Sequence, residues 1–459
     1  MIRFTTTVAL CCLAAWPALA LAQREVAPLP PVSGERPAAR RAVYQEAPPV
    51  AEQPPAEPIA PLPRQDERPR PLTVADVEQI ALANHPALAR AAANVQAARG
   101  AWLQAGLAPN PVVGWAADEM GDNNMSGMQG AYAQQQFITA GKLGLNRAVA
   151  AREIRRVEAE LEAARHRVLA DVQTGFYDAL VAQESTRLMD DLVRIADAGV
   201  ETTDVLYRKG ELSRVEFLQA RIEANTTRLL RDTIRNRHAA ALRRLSALLG
   251  GAELPAAPLA GDARQDLREL TWDDVLSRLL AESPEIAAAQ ASVDRASWAL
   301  ARARAERIPN VQVMAMAQHD NVSQYDIATV QVGLPLPVFD RNQGGIQQAQ
   351  AELAAANSNV VRVELDLKRR LAAAFENYAN AQRRVAEYDR EILKDAKESL
   401  DLVTTGYRNG EFGYLTLLTT QRTYVETNLA YLDALRQLRG AMAAIDGMLL
   451  GGSLQAGGE

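Results

Sequence analysis

The second half of this chain repeats the first. Leu72-Thr73-Val74-Ala75-Asp76-Val77 returns 198 residues later as Leu270-Thr271-Trp272-Asp273-Asp274-Val275, and Asn84-His85-Pro86 returns as Glu282-Ser283-Pro284. Pro109-Asn110 returns as Pro309-Asn310, and Tyr207-Arg208-Lys209-Gly210-Glu211 as Tyr407-Arg408-Asn409-Gly410-Glu411, each 200 residues on. Landmarks in one order at a nearly constant offset define two structural repeats, 72–250 and 270–450. A linker at 251–269, punctuated by Gly251, Pro255, Pro258 and Gly261, joins them. Whatever one half builds, the other must build again.

Each repeat reads alike. A short helix opens behind Thr73 or Thr271, N-cap candidates before an acidic first turn. A second helix follows the proline and runs to about Gly106 or Arg307. The hydrophobic period then drops to two: Val311, Val313, Ala315 and Ala317 alternate with Gln312, Met314, Met316 and Gln318. With a turn at His319–Gln324 and a further run from Tyr325 to Leu336, this is one β-hairpin at about 310–336. Its counterpart, at about 111–138, has strands at Pro111–Met120 and Ala131–Ile138 around Gly121-Asp122-Asn123-Asn124. Strands of about ten residues have the length of a tilted membrane-spanning β-strand.

Long helices follow. From Ile346 the apolar or small positions advance by alternate threes and fours to residue 392, with an extra four-step from 367 to 371. That is a heptad seam with one stutter. Ala150, Ile154, Val157, Leu161, Ala164, Val168 and Val172 mark the same seam in the first repeat. Gly210 and Gly410 break these helices, and a second helix returns from each, giving two long helical hairpins.

The termini are of other kinds. Residues 1–22 carry Arg3, a mostly apolar run from Val8 to Leu21, and Ala20-Leu21-Ala22 before Gln23, the pattern of a cleaved signal peptide. Residues 23–71 mix Pro, Ala, Glu and Arg and are expected to be a disordered tail. Residues 451–459 are expected to be a disordered C-terminus. The only cysteines, Cys11 and Cys12, lie in the signal segment, so the exported chain has no thiol for a disulfide, metal or nucleophile. Four scattered histidines and no converging acid–base motif argue for no catalytic residues, no resident metal and no cofactor. A net charge of −6 speaks against nucleic acid.

The expected fold is therefore mainly α with a small β part. Four strands cannot close a barrel, and a lipid-facing sheet edge is forbidden in a membrane. Three chains supply twelve strands, an allowed number, and six helical hairpins to wall a tube. A homotrimer in outer-membrane lipid is the expectation.

At this point the chain resembles a family, the TolC-type outer-membrane efflux proteins, over the whole of 72–450. The residues that carry the likeness are the duplication, the lead-ins Ala108-Pro109-Asn110 and Ile308-Pro309-Asn310, the Tyr-x-x-Gly tips, and the Pro-rich exit Gly333-Leu334-Pro335-Leu336-Pro337-Val338-Phe339-Asp340-Arg341-Asn342. That exit looks like the CzcC-type branch found with heavy-metal efflux systems. The resemblance implies a trimeric twelve-stranded β-barrel in the outer membrane, continued by an α-helical coiled-coil barrel across the periplasm. It implies an exit duct for a tripartite system, fed by an inner-membrane pump of the RND type through a periplasmic adaptor, with heavy-metal cations among the candidate cargoes. A periplasmic adaptor or structural coiled-coil rod is the competing reading; it leaves the paired hairpins unexplained.

The same resemblance assigns roles. Tyr207, Arg208, Gly210, Glu211, Tyr407, Arg408, Gly410 and Glu411 become periplasmic tips that dock the adaptor. Pro109, Pro309, Pro335 and Pro337 mark the barrel-to-tunnel transition. The family often rings its aperture with carboxylates just after the second tip, where this chain has Thr416 and Thr419. The repeat equivalent of Thr416 is Glu216, which becomes the acidic aperture candidate. Met120, Met125, Met128, Met314, Met316 and His319 cluster near the hairpins; thioethers suit soft cations, though fillers are the plainer reading.

Overall fold

The computed structural model describes residues 71–121, 127–252 and 258–454. The expected signal peptide, all of the Pro-rich tail before Pro71, and the final residues 455–459 lie outside the described residues, as does Met125.

Each repeat opens with a short helix, α1 (Val74–Asn84) or α5 (Trp272–Glu282), followed after one residue by α2 (Pro86–Ala105) or α6 (Pro284–Ala305). Thr73 caps α1 in a reciprocal box: its hydroxyl accepts from Asp76 N, and Asp76 accepts from Thr73 N at 2.9 Å. Thr271 accepts likewise from Asp274 N at 3.3 Å. His85 caps α2 through Nδ1, which accepts from Ala87 N at 3.2 Å, and Pro86 supplies a first-turn residue that needs no N–H partner.

The strands come next: β1 (Val112–Asp118), β2 (Met128–Phe137), β3 (Val311–Asp320) and β4 (Tyr325–Gly333). They form one antiparallel sheet in the order β1-β2-β3-β4, so the hairpins of the two repeats join along β2 and β3. Several strand boundaries differ from the sequence reading, and β1 stops two residues short of Met120. β2 begins three residues before Ala131, because Met128 still pairs with both Asp118 and Asp320. His319 lies in β3 rather than in the turn, opposite Asp326. β4 stops at Gly333, since Pro335 and Pro337 have no N–H for a ladder.

The long helices are α3 (Lys142–Arg208) and its return α4 (Arg214–Leu248), then α7 (Gln343–Glu387), a π-helical turn (Tyr388–Ile392), α8 (Leu393–Arg408) and the return α9 (Tyr414–Asp446). At 1.5 Å per residue, α3 is roughly 100 Å long. The step from 367 to 371 is absorbed by regular helix with Leu367 and Leu371 fully buried. A π-helical turn follows at Tyr388–Ile392, where an inserted residue widens one turn. Tyr388 there meets Tyr431 edge-on at 6.0 Å.

α2, α3, α6 and α7 pack side by side, in the same order as the strands that continue them. At the other end α3 packs against α4 and α9, and α9 against α7 and α8. The main core lies between, where α1, α5 and the linker strap across the long helices. Leu72 bridges to Leu259 in parallel; Gln183 both donates to Leu259 O and accepts from Leu259 N. Tyr378 Oη donates to Arg268 O and accepts from Leu270 N. The first C-terminal residues are held, contrary to expectation: Gly452 N and Ser453 N both donate to the Asp171 carboxylate, and Ser453 is buried. Two backbone donors converging on one carboxylate fix a chain that composition alone leaves free.

Candidate functional site

No helix among the described residues is long and apolar enough to cross a membrane. The sheet is the membrane candidate, and its two faces differ. Alternate residues point to opposite faces, and directly paired residues share one. One face carries the rows Val113–Ala133–Ala315–Val330 and Trp115–Ala131–Ala317–Ala328, with Val313 and Val332. Val113, Trp115, Val330 and Val332 are exposed on it. The other carries Gln134–Met314–Gln331 and Tyr132–Met316–Thr329, with Gln136, Gln312 and Gln318. Gln318 donates to Asp118 at 2.9 Å on this face. Apart from Gln135 beside Val313 and the row Ala117–Gln129–His319–Asp326 at the turn end, the first face is apolar and the second rich in glutamine, the pattern of a lipid-facing, water-filled barrel wall. Met314 and Met316 thus sit apart from the apolar face. No group of His, Cys, Asp and Glu among the described residues is placed to hold a metal. His319 Nδ1 lies 2.9 Å from Asp326 Oδ1.

The sheet meets the helices at a charged junction that sequence reading missed. Lys142, the first residue of α3, has a side chain only 2% exposed. Its Nζ donates to Asn310 Oδ1 at 2.9 Å and lies 3.4 Å from Glu306 Oε1. Thr139 Oγ1 donates to Pro309 O at 2.6 Å, and Gln135 Nε2 to Pro109 O at 2.9 Å. The two lead-in prolines are therefore held through their carbonyls, while Pro335 and Pro337 are exposed. A lone lysine at a helix start gives no hint of burial, because its partners come from the other repeat.

At the far end the hairpins reverse through matched Schellman turns. Gly210 (φ +77°) and Gly410 (φ +78°) take the left-handed residue; Glu211 N donates to Leu206 O, and Glu411 N to Gly406 O. The returns then diverge. α4 is capped by Ser213, whose N and Oγ donate to Glu216 Oε2 at 2.9 and 2.8 Å while Glu216 N donates back to Ser213 Oγ. α9 has Gly413 at its cap and no side-chain bond.

The two tips lock together. Tyr414 and Leu418 of α9 pack with Ala220 of α4, and Val200 and Tyr407 close over them. Tyr407 meets Tyr414 at 6.0 Å, whereas Tyr207 stays exposed and stacks on Phe217 at 5.6 Å. Burial, assisted by the Glu216 charge, raises the Tyr407 phenol; burial, with Glu223 nearby, pushes Tyr414 up to about 12. Arg422 Nη2 bonds Glu223 Oε2 at 2.5 Å and its Nε bonds the same oxygen at 3.1 Å. This cross-repeat pair also went unseen, since 223 and 422 do not correspond under the repeat offset. Arg208 pairs with Asp204 at 2.6 Å; Glu211, Arg408, Glu411, Thr416 and Thr419 are exposed, and Glu216 is half-buried.

Known proteins share this arrangement. The sequence pattern of the family described as outer membrane efflux protein matches residues 77–251 and again 275–451, one match per repeat. The cobalt-zinc-cadmium resistance protein CzcC of Cupriavidus metallidurans is 26% identical over 382 residues, covering 83% of this chain and 90% of its own. The nickel-cobalt-cadmium resistance protein NccC of Alcaligenes xylosoxydans xylosoxydans is 26% identical over 64% of this chain and 68% of its own. Among solved structures, the CusC channel superposes with a TM-score of 0.69 at 18% identity, covering 83% of this chain and 92% of that one. The outer membrane protein VceC of Vibrio cholerae gives 0.65 at 19%, over 83% and 96%. The periplasmic-rod reading is thereby set aside: its helices are present, but they continue a membrane sheet. The chain belongs to the outer membrane efflux protein family, and is an outer-membrane channel with a helical extension into the periplasm.

Proposed function

We propose that three copies of this chain form the exit duct of a tripartite efflux system for divalent heavy-metal cations. The observation that carries the reading is the sheet: one face mainly apolar, one polar, and, among the described residues, an unpaired edge on both β1 and β4. An open edge in lipid leaves backbone groups unsatisfied, and closure by like chains satisfies them. The metal cargo is supported by the relatives CzcC and NccC, resistance proteins for cobalt, zinc and cadmium and for nickel, cobalt and cadmium. A wide channel lined by amides and hydroxyls needs no metal ligand of its own; selection then rests with the inner-membrane pump, of the RND type, and its periplasmic adaptor.

In this reading the exposed tip residues Tyr207, Arg208, Glu211, Arg408 and Glu411 meet the adaptor around Gly210 and Gly410. Glu216 contributes the aperture charge, with Thr416 and Thr419 beside it. Pro109, Pro309, Pro335 and Pro337 end the barrel and start the tunnel. The test is metal accumulation in cells lacking the protein. Cobalt, zinc and cadmium should build up and return to normal on complementation. Normal metal content with increased retention of organic drugs would overturn the cargo assignment.

A further inference from the structure

The repeat makes each contact between the two halves of a chain a template for the contact between neighbouring chains. In the chain, Lys142 of the first repeat is buried against Asn310 and Glu306 of the second. Three correspondences carry this junction across. Asn310 and Glu306 correspond to Asn110 and Gly106 at the offset of 200. Lys142 corresponds to Gln343, each the first residue of its long helix and each preceded by a left-handed residue, Gly141 or Asn342. The Val112–Gln134 strand pair corresponds to Gln312–Gly333.

Both charges of the in-chain junction are missing from the corresponding set. Lysine becomes glutamine and glutamate becomes glycine; neither is kept without its partner. That is what burial demands, because a lone charge at such a site is costly. Gly106 also leaves the space into which the Arg147 side chain folds, over the Trp102 ring at 4.3 Å. A lysine at 343 would there face a cation instead of a carboxylate.

The second repeat adds apolar surface in exchange. Six residues separate Gln134 from Gly141, but eight separate Gly333 from Asn342. The longer segment exposes Leu336, Val338 and Phe339, the last 90% exposed. At the opposite edge of the chain Leu103 and Leu107 are 58% and 52% exposed.

We infer that the segment from Leu336 to Gln343 seats on Leu103 to Asn110 of a second copy of this chain, forming an uncharged, apolar seam with Gln343 facing Asn110 of the partner subunit. The inference rests on the trimer reading and names its contacts. The same correspondences carry the Ala133–Ala315 pair to Val332 opposite Trp115 of the partner subunit, both on the apolar face. Phe339 is the anchor and covers the partner's Leu103 and Leu107. Within its own chain the Gln343 amide accepts from Arg341 N at 2.8 Å and donates to Phe339 O at 3.1 Å, and its second N–H is left to donate to Asn110 of the partner subunit without a buried charge.

Disulfide trapping tests it in the full-length protein in its own outer membrane. The chain's only cysteines precede the expected cleavage site. Gln343→Cys with Asn110→Cys should give, under mild oxidation, a ladder up to trimer on a non-reducing gel and a single monomer band after reduction. Gln343→Cys with Asn310→Cys should give no inter-subunit band. Gln343→Lys should lower trimer yield by more than about tenfold, as burial of an unpaired charge predicts. Normal trimers that neither trap at 343–110 nor respond to Gln343→Lys would overturn the seam. Phe339→Ser trimers that form fully but leave the membrane would assign Phe339 to lipid and overturn its role as anchor. Wild-type chains that stay monomeric in the membrane would overturn the trimer reading itself.

Discussion

One carboxylate oxygen of Glu216 accepts from both the backbone N–H of Ser213, at 2.9 Å, and its hydroxyl, at 2.8 Å. The residue proposed to charge the aperture is therefore also a structural cap, and the second repeat has lost both partners at once, with Gly413 and Thr416 in their places. A glutamine at the same position can still close a capping box. Glu216→Gln should lower cation selectivity in a planar bilayer at low salt without lowering the melting temperature. Glu216→Ala should lower both, at a cost of about 1 kcal/mol in the cap. Unchanged selectivity in Glu216→Gln would leave the carboxylate with its capping role alone.

Arg422 and Glu223 bolt the second hairpin to the first. Glu223 is only 13% exposed in its side chain, but Arg422 is more than half exposed, so the pair is worth about 1 kcal/mol after screening. Arg422→Ala should speed hydrogen exchange at the starts of α4 and α9 while leaving the sheet protected. In a double-mutant cycle the two alanine substitutions should be non-additive. Full additivity would mean the bond contributes nothing in solution.

At Gly210 and Gly410 no other atom lies within 4 Å of where a Cβ would stand, so a side chain there meets only backbone strain. Valine should cost about 1–3 kcal/mol at φ near +77°. Asparagine, which tolerates this region, should cost less. Gly410→Val should assemble but bind adaptor weakly; Gly410→Asn should bind near normally. Equal adaptor binding by both would detach docking from the shape of this turn.

His85 gives the fold a pH dependence. It is 2% exposed, its Nδ1 must accept from Ala87 N, and burial pulls its pKa below the ordinary value against a weaker opposing pull from Asp171. The unfolded chain binds a proton first as pH falls below about 6.5, so stability is full above that value and declines beneath it. Melting temperature should drop between pH 7.5 and 5.5. His85→Asn, which keeps a capping acceptor, should flatten that slope; an unchanged slope would place the pH sensitivity elsewhere, for instance at half-buried His238.

Much of this was legible before the structure because the repeat was legible. The period-two run at Val311–Gln318 gave the strands, the heptad seams gave the long helices, and the two glycines gave the reversals. What the sequence could not show were contacts between the repeats. Lys142 with Asn310, Glu223 with Arg422, and Ala220 under Tyr414 join positions about 170 to 200 residues apart that share no motif. The π-turn at Tyr388–Ile392 was hidden for another reason: the apolar spacing 385, 388, 392 runs through it unbroken. Even Glu216, singled out by the offset as an aperture charge, follows Ser213 by three residues, a spacing that already spells a capping box.

The central claim is that this sheet forms the wall of a water-filled pore, polar face inward. Gln331 and Val330 are adjacent on β4 and point to opposite faces. Each can be replaced by cysteine in a chain otherwise free of thiols after export, and the purified channel exposed in a planar bilayer to a membrane-impermeant, charged thiol reagent. The account predicts stepwise loss of current for Gln331→Cys, up to three steps per channel, and none for Val330→Cys. Block of Val330→Cys with Gln331→Cys untouched would contradict it.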